Sequence, residues 1–281
     1  MPYELIMKNK TIKIALTAGL LVITAFTTGC SNQSNKAAVN NENTHNEEIT
    51  IYFARHGKTL FNTYDLVQGW ADSPLTDKGI EVARYLGQGF KDKQIQFDAY
   101  YTSDAGRQRE TMQVLLQQKG VKDYQIQELK GLREVFYGGF EGGTNAKMVS
   151  ASMKSLGYKS VNNFYKSYVE GQIPVATLTD AIAKSDPKHE AENFEQVKER
   201  TQNALNTIIK TAQEKHQKNI LAISSGMSMQ AMISDLTDDP IKNKPLSNAT
   251  VVKIVYQNGK YSVVEIGNME YVDLGKLSLN K

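Results

Sequence analysis

A chain of 281 residues, 40% hydrophobic and 22% charged, with 33 Lys and Arg against 30 Asp and Glu, has the composition of a globular protein of one or two domains; fibrous and wholly disordered classes are excluded. A formal net charge of +3 without any local Lys/Arg block excludes a nucleic-acid binder that works by neutralising many phosphates. One cysteine, Cys30, and four scattered histidines, His45, His56, His189 and His216, supply neither a disulfide framework nor a ligand cluster, so no metal and no cofactor is expected.

In chain order, Lys8, Lys10 and Lys13 precede sixteen uncharged residues, Ile14 to Gly29, that end in small residues before Cys30. This layout predicts a secretory signal peptide over residues 1–29, with Met7 as an alternative start. The run falls short of the roughly 20 residues that cross a bilayer, and an uncleaved anchor is the competing reading. Phe26-Thr27-Thr28-Gly29-Cys30 resembles the lipobox of bacterial lipoproteins, departing at Thr27, where leucine is usual. That resemblance implies a diacylated Cys30 as the mature N-terminus, a membrane attachment through its lipid, and a location on the outer face of a bacterial cytoplasmic membrane. Cleavage there leaves 30 basic against 29 acidic residues. The rest of residues 30–48 carries six Asn and almost nothing apolar; it cannot bury enough surface to offset its ordering entropy and is expected to be a flexible linker, with His45 solvated in it.

From residue 49 to 281 a single domain is expected. Ile49 to Ala54 reads as a strand, and Thr76 to Asp92, with Ile80, Ala83, Leu86 and Phe90 at near-helical spacing, as a helix. The alternation returns as a strand over Phe97–Thr102 with a helix over Ala105–Gln118, and as a strand over Asn219–Ser224 with a helix over Gly226–Leu236. Three such units predict an α/β fold, a three-layer sandwich whose mostly parallel sheet is flanked by helices. Thr250–Tyr256 and Tyr261–Ile266, joined through Asn258-Gly259, predict an edge hairpin. Residues 143–190 break the alternation and are expected to form a helical lid insertion, followed by a long helix over about 190–215. The insertion has six lysines and four acids, a net +2 that favours anionic substrates in general.

In open α/β sheets ligands bind beyond the carboxyl ends of the strands. The polar residues there are Arg55-His56-Gly57 after the first strand, Ser103-Asp104-Ala105-Gly106-Arg107 after the second, and Ser224-Ser225-Gly226 after the third. Two arginines and a histidine converging on helix N-termini make a pocket for a dianion, phosphate above all. A histidine held neutral by neighbouring cations would also be a competent nucleophile toward phosphorus.

These residues resemble the histidine phosphatase superfamily, whose founding members are phosphoglycerate mutases. The opening pattern R-H-G-x-T-x-x-N is met by Arg55, His56, Gly57, Thr59 and Asn62, and is followed by Gln68-Gly69-Trp70 and Asp72-Ser73-Pro74-Leu75-Thr76. Ser103, Arg107 and Thr111, then Leu132-Arg133-Glu134 with Tyr137-Gly138 and Glu141-Gly142, continue it in order. The resemblance implies a phosphoester hydrolase in which His56 is phosphorylated, Arg55 and Arg107 bind the phosphoryl oxygens, and Glu134 protonates the leaving oxygen. It places Asn62 on the phosphoryl group or its ester, puts Gln68 and Gly69 on the rim, and requires no metal. Thr59, where the acid phosphatase branch has arginine, points to the mutase-like branch. For Arg107 a helix ion pair with Asp104 or Glu110, and for Glu134 a purely structural ion pair, are the competing readings.

One position departs from the pattern. The family has Ser-His-Gly at the third strand's end, and here Ser225 stands in the substrate-binding position of that second histidine. A neutral hydroxyl replaces a cationic donor, a loss that typically costs about 10² to 10³ in rate. The expectation is a weakened phosphatase acting on a small phosphorylated substrate, with a phosphoester-binding protein without turnover as the alternative and a phosphoglycerate mutase as the third reading.

Overall fold

The computed structural model describes residues 47–281. The signal peptide, the lipidation site at Cys30 and the linker up to residue 46 lie outside the described residues.

A six-stranded sheet organises the domain. Its strands are β1 (Ile49–Arg55), β2 (Ala99–Thr102), β3 (Ile126–Glu128), β4 (Asn219–Ser224), β5 (Val251–Gln257) and β6 (Lys260–Asn268), in the spatial order β3-β2-β4-β1-β5-β6. β1 to β4 run parallel, and β5 pairs antiparallel with both β1 and β6. The sheet is therefore mixed, with its parallel part in one half and the expected hairpin at the other edge. Asn258 (φ 53°) and Gly259 (φ 77°) both occupy the left-handed region, the backbone that a two-residue type I′ turn needs. β1 lies between β4 and β5 with its first six residues buried, which is why it reads as a continuous apolar run instead of an alternating one.

Successive β1 side chains point to opposite faces. Ile49, Ile51 and Phe53 pack with α7 (Phe194–Glu214) and α8 (Gly226–Met232) through Leu205, Ile208 and Met229. Tyr52 and Ala54 pack with α2 (Asp77–Asp92), α3 (Gly106–Lys119) and α9 (Glu270–Leu279) through Leu86, Phe90, Leu115 and Tyr271. Helices on both faces give the three layers the sequence predicts. The Thr76 hydroxyl accepts the Gly79 N–H and starts α2 where the periodicity begins.

The 143–190 segment forms α4 (Asn145–Ser155), α5 (Val161–Val169) and α6 (Val175–Ser185). Met148, Phe164, Leu178 and Ile182 join Tyr137 and Phe140 in a third apolar cluster apart from the sheet.

Boundaries differ from expectation where local chemistry intervenes. The long helix starts at Phe194, because Asn193 and Gln196 form a capping box there. The helix after β4 ends at Met232, short of Leu236. His189 (φ 57°) and His216 (φ 53°) are exposed residues just outside the helices, and His216 Nδ1 lies 3.8 Å from the Glu47 carboxylate.

Candidate active site

His56 follows β1 directly. Its N–H donates to the Ser224 carbonyl at the end of β4 (3.1 Å), and its carbonyl accepts from Asn248 Nδ2 (2.9 Å). Nδ1 is 2.8 Å from the Gly57 carbonyl, so the proton sits on Nδ1 and the Nε2 lone pair is left free. The side chain is buried, and burial holds its pKa well below 6.5, with the charges of Arg107 and Arg55 pushing the same way and the Gly57 bond opposing them. The turn that carries it depends on two glycines in close approach: a Cβ on Gly57 would come within 2.5 Å of the Gly79 carbonyl oxygen. Thr111 of α3 ties that turn to the second arginine, its hydroxyl accepting from Gly57 N (2.9 Å) and donating to the Arg107 carbonyl (2.7 Å).

Arg107 is fully buried. Nη1 donates to Asp72 Oδ1 (2.9 Å) and the Ala71 carbonyl (3.2 Å), and Nη2 to the Gly69 carbonyl (2.8 Å). Its carboxylate partner is thus Asp72; Asp104 pairs with Arg133, and Glu110 accepts from Leu75 N. Among the described residues Arg55 has no carboxylate within salt-bridge distance; Nη1 donates to the Leu246 carbonyl, and burial lowers its pKa. In both guanidinium groups Nε is a buried donor without a partner among the described residues. Buried donors are rarely left unpaired, and two cationic ones beside a neutral histidine are what a bound oxyanion would satisfy.

Glu134 is buried and, among the described residues, in no ion pair. Oε1 accepts from Val135 N (2.9 Å) and Ser228 N (2.9 Å), and Oε2 from Met227 N (3.2 Å), which seats the carboxylate on the first turn of α8. Arg200 of α7 fixes the backbone behind it, donating to the carbonyls of Gly131, Arg133 and Glu134 while paired with Glu192. Asn62 forms a capping box with Thr59 at the start of α1 (Leu60–Thr63), its Oδ1 accepting from Thr59 N (3.3 Å), so its amide NH₂ remains available. Thr59 also donates to Gln68 Oε1.

Arg55, Asn62, Gln68 and Glu134 line a cavity of about 260 Å³ whose other walls come from Tyr137, the Asp65–Leu66 and Pro245–Leu246 loops, α4, α5, α6 and α8. His56, Arg107, Gly69 and Ser225 are buried beside it and are not part of its wall. Gly69 serves structure: its carbonyl holds Arg107, and a Cβ there would meet the Val135 carbonyl oxygen at 2.1 Å. The six lysines of the 143–190 segment are all exposed and none lines the cavity, so their charge gives no ground for expecting an anionic substrate. Asp72, Arg200, Asn248 and Glu141, which accepts from the N–H groups of Gly69, Trp70, Ala71 and Tyr137, were given no role by the sequence. Only the family-order blocks around Asp72 and Glu141 signalled two of them.

The profile of the histidine phosphatase superfamily (branch 1) matches residues 51–159 and 169–269. The chain belongs to that superfamily. Among solved structures, a phosphoglycerate mutase from Bacillus anthracis str. Sterne is 36% identical with a TM-score of 0.76, over 83% of this chain and 99% of that one. A 2,3-bisphosphoglycerate-dependent phosphoglycerate mutase from Methylocella silvestris is 29% identical over 76% of this chain and 95% of the relative. A phosphoserine phosphatase from Entamoeba histolytica, solved with 3-phosphoglyceric acid, shares the fold at 21% identity and a TM-score of 0.56, over 80% of this chain and 99% of that one.

Ser225 is the position at which the sequence reading departs from the family pattern. The residue is fully buried, and its Oγ accepts from Gln108 Nε2 (3.1 Å). Gln108 is equally buried; its other bonds are Nε2 to the Leu132 carbonyl (3.1 Å) and Oε1 from Ser103 N (2.8 Å). The space beside Ser225 is therefore filled by a bonded carboxamide.

Proposed function

We propose that this protein hydrolyses phosphate monoesters through a phosphohistidine at His56. The observation that carries the reading is the buried, neutral His56 with its proton fixed on Nδ1, beside two arginine Nε donors that have no partner among the described residues. Nε2 attacks phosphorus and the bond from phosphorus to the ester oxygen breaks. Arg55 and Arg107 take the charge on the equatorial oxygens. The departing oxygen takes a proton from Glu134; Oε2 is the oxygen for it, since one amide occupies it against two on Oε1. Water then attacks the phosphohistidine, gives its proton to Glu134, and the P–N bond breaks to release phosphate. Asn62 and Gln68, on the cavity wall, orient the ester.

The test is to mix the protein with an aryl phosphate, quench in alkali, and map the acid-labile adduct. The expected result is phosphate on His56 and none in His56→Ala; turnover undiminished in His56→Ala would overturn the assignment. One observation favours a second reading, phosphoester binding without turnover: Ser225 supplies no positive charge where the family has an imidazole. Phosphate binding with no adduct and no hydrolysis would establish it.

The place of action proposed is the outer face of a bacterial cytoplasmic membrane, with a lipid on Cys30. What supports it is the basic start, the uncharged run and the small residues ahead of the lone cysteine. Mass spectrometry of the mature N-terminus tests it: a diacylated Cys30 is expected, and an unmodified Cys30 still preceded by residues 14–29 would refute it. Such a location also argues against the mutase reading, whose phosphoglycerate substrates are cytoplasmic.

A further inference from the structure

Resting on the hydrolase reading, we infer that the substrate's leaving group is uncharged, a small phenol or short aliphatic alcohol, and that esters bearing a second anionic group are poor substrates. Among the described residues the cavity wall contains one cation, Arg55, which the phosphoryl group itself requires. The other ionisable side chains lining it, Asp65 and Glu134, are both acids, and Glu134 carries the proton that the leaving oxygen takes. A carboxylate or second phosphate on the leaving group would find no counterion there and would face the Asp65 carboxylate.

Beyond Arg55 the wall is largely apolar and aromatic, and its further polar side chains, Asn145, Ser152 and Gln230, are neutral. Phe164, Leu178, Ile182 and Met148 are buried cluster residues that also line the cavity. Tyr137 and Tyr168 add phenol groups whose pKa values burial raises, so they present neutral O–H groups and not phenolates. Tyr137 spends its proton on the Met227 sulfur (3.1 Å), a weak acceptor that an ester oxygen can replace. A volume of about 260 Å³ is just below the roughly 300 Å³ at which ligand cavities usually begin. That space takes one ring or a short chain. Apolar walls with a few placed polar groups select by shape and by what they leave unpaired, and here a second charge is what would go unpaired.

The experiment compares phenyl phosphate with 3-phosphoglycerate in two ways: kcat/KM on the wild type, and calorimetric binding to His56→Ala, which separates recognition from turnover. The neutral ester is expected to be favoured about tenfold or more in both. Val149→Lys and Tyr165→Lys each place an ammonium at a cavity-lining position that is not fully buried, on α4 and α5 respectively. In either variant the preference should shift toward 3-phosphoglycerate, and the second covers failure of the first to fold. If neither ester is hydrolysed but His56→Ala binds the neutral one more tightly, the hydrolase reading falls and the specificity stands. Equal or tighter binding of 3-phosphoglycerate, or binding of neither ester, overturns the specificity.

Discussion

Replacing Ser225 with histidine alone should not restore the activity of a complete family site, because Gln108 holds the space that an imidazole needs. Both residues are fully buried, and the Gln108 carboxamide makes three bonds, to Ser103 N, the Leu132 carbonyl and Ser225 Oγ, at 2.8 to 3.1 Å. Forcing an imidazole against it is overpacking and costs about 1 to 3 kcal/mol, with the ring turned from any productive orientation. Shortening Gln108 to alanine makes the room. Its own cost is contained: the Leu132 carbonyl keeps the Ser224 hydroxyl (3.0 Å), so the main loss is one buried N–H, that of Ser103, worth about 1 to 3 kcal/mol unless the new imidazole or a water reaches it. The expected order in kcat on an aryl phosphate is therefore wild type similar to or above Ser225→His, with the double variant Gln108→Ala/Ser225→His at least tenfold above both. The ceiling is the about 10² to 10³ that one charge-aligned donor contributes. The assay is a double-mutant cycle in kcat and in urea midpoint, with Gln108→Ala as the fourth corner. A gain in Ser225→His that matches the double variant would show that Gln108 is no obstacle. No gain in a folded double variant that binds phosphate would show that the missing histidine is not what limits the rate.

Three further outcomes follow from the site. Glu134→Gln keeps an acceptor for the α8 amides but cannot deliver a proton: kcat on alkyl phosphates should fall about 10² to 10⁴-fold, with a much smaller loss on aryl phosphates whose leaving groups need no proton, so an equal loss on both would exclude the acid role. Asp72→Ala removes the carboxylate from Arg107, and phosphate affinity and kcat/KM should each drop about tenfold as the guanidinium loses its aim; unchanged kcat/KM would show that the Gly69 and Ala71 carbonyls suffice. For pH, the folded His56 pKa lies well below 6.5, so below 6.5 the unfolded chain binds a proton that the folded one does not. Stability is fully present above 6.5 and declines by up to about 1.4 kcal/mol per unit as pH falls toward the folded pKa. Urea unfolding at pH 7 and pH 5 should show a smaller loss in His56→Gln than in wild type, and identical losses would refute the buried neutral histidine.

Legibility in the sequence tracked how local the determining physics was. β1 and β4 were readable because a buried central strand writes itself as an unbroken apolar run, and α2 because Thr76 caps a clear periodicity. β3, three residues long and not fully buried at any of them, carries no such pattern and exists because β2 offers it a partner edge. α9 packs on α2 through close backbone approach: a Cβ on Gly89 would meet the Tyr271 carbonyl oxygen at 1.8 Å. That contact spans most of the domain and leaves only small residues as its trace.

The site divides the same way. Residues that follow strands were found because topology places strand ends together, whatever lies between them in sequence. Asp72 and Arg200 were given no role because each acts across the fold, on Arg107 and on the Glu134 loop, and an acid or base on a polar stretch looks the same whether it is solvated or paired. Ser225 was visible as a loss against the family pattern, but a loss is only half of a packing statement. Interiors tolerate no void, so a histidine-sized space without its histidine must have collapsed or been refilled. The Gln108 carboxamide, five positions after Ser103, four after Asp104 and one after Arg107, reads in sequence as an ordinary polar helix residue. Only its full burial against Ser225 Oγ shows that the two positions form one unit, and that altering either without the other tests strain and not catalysis.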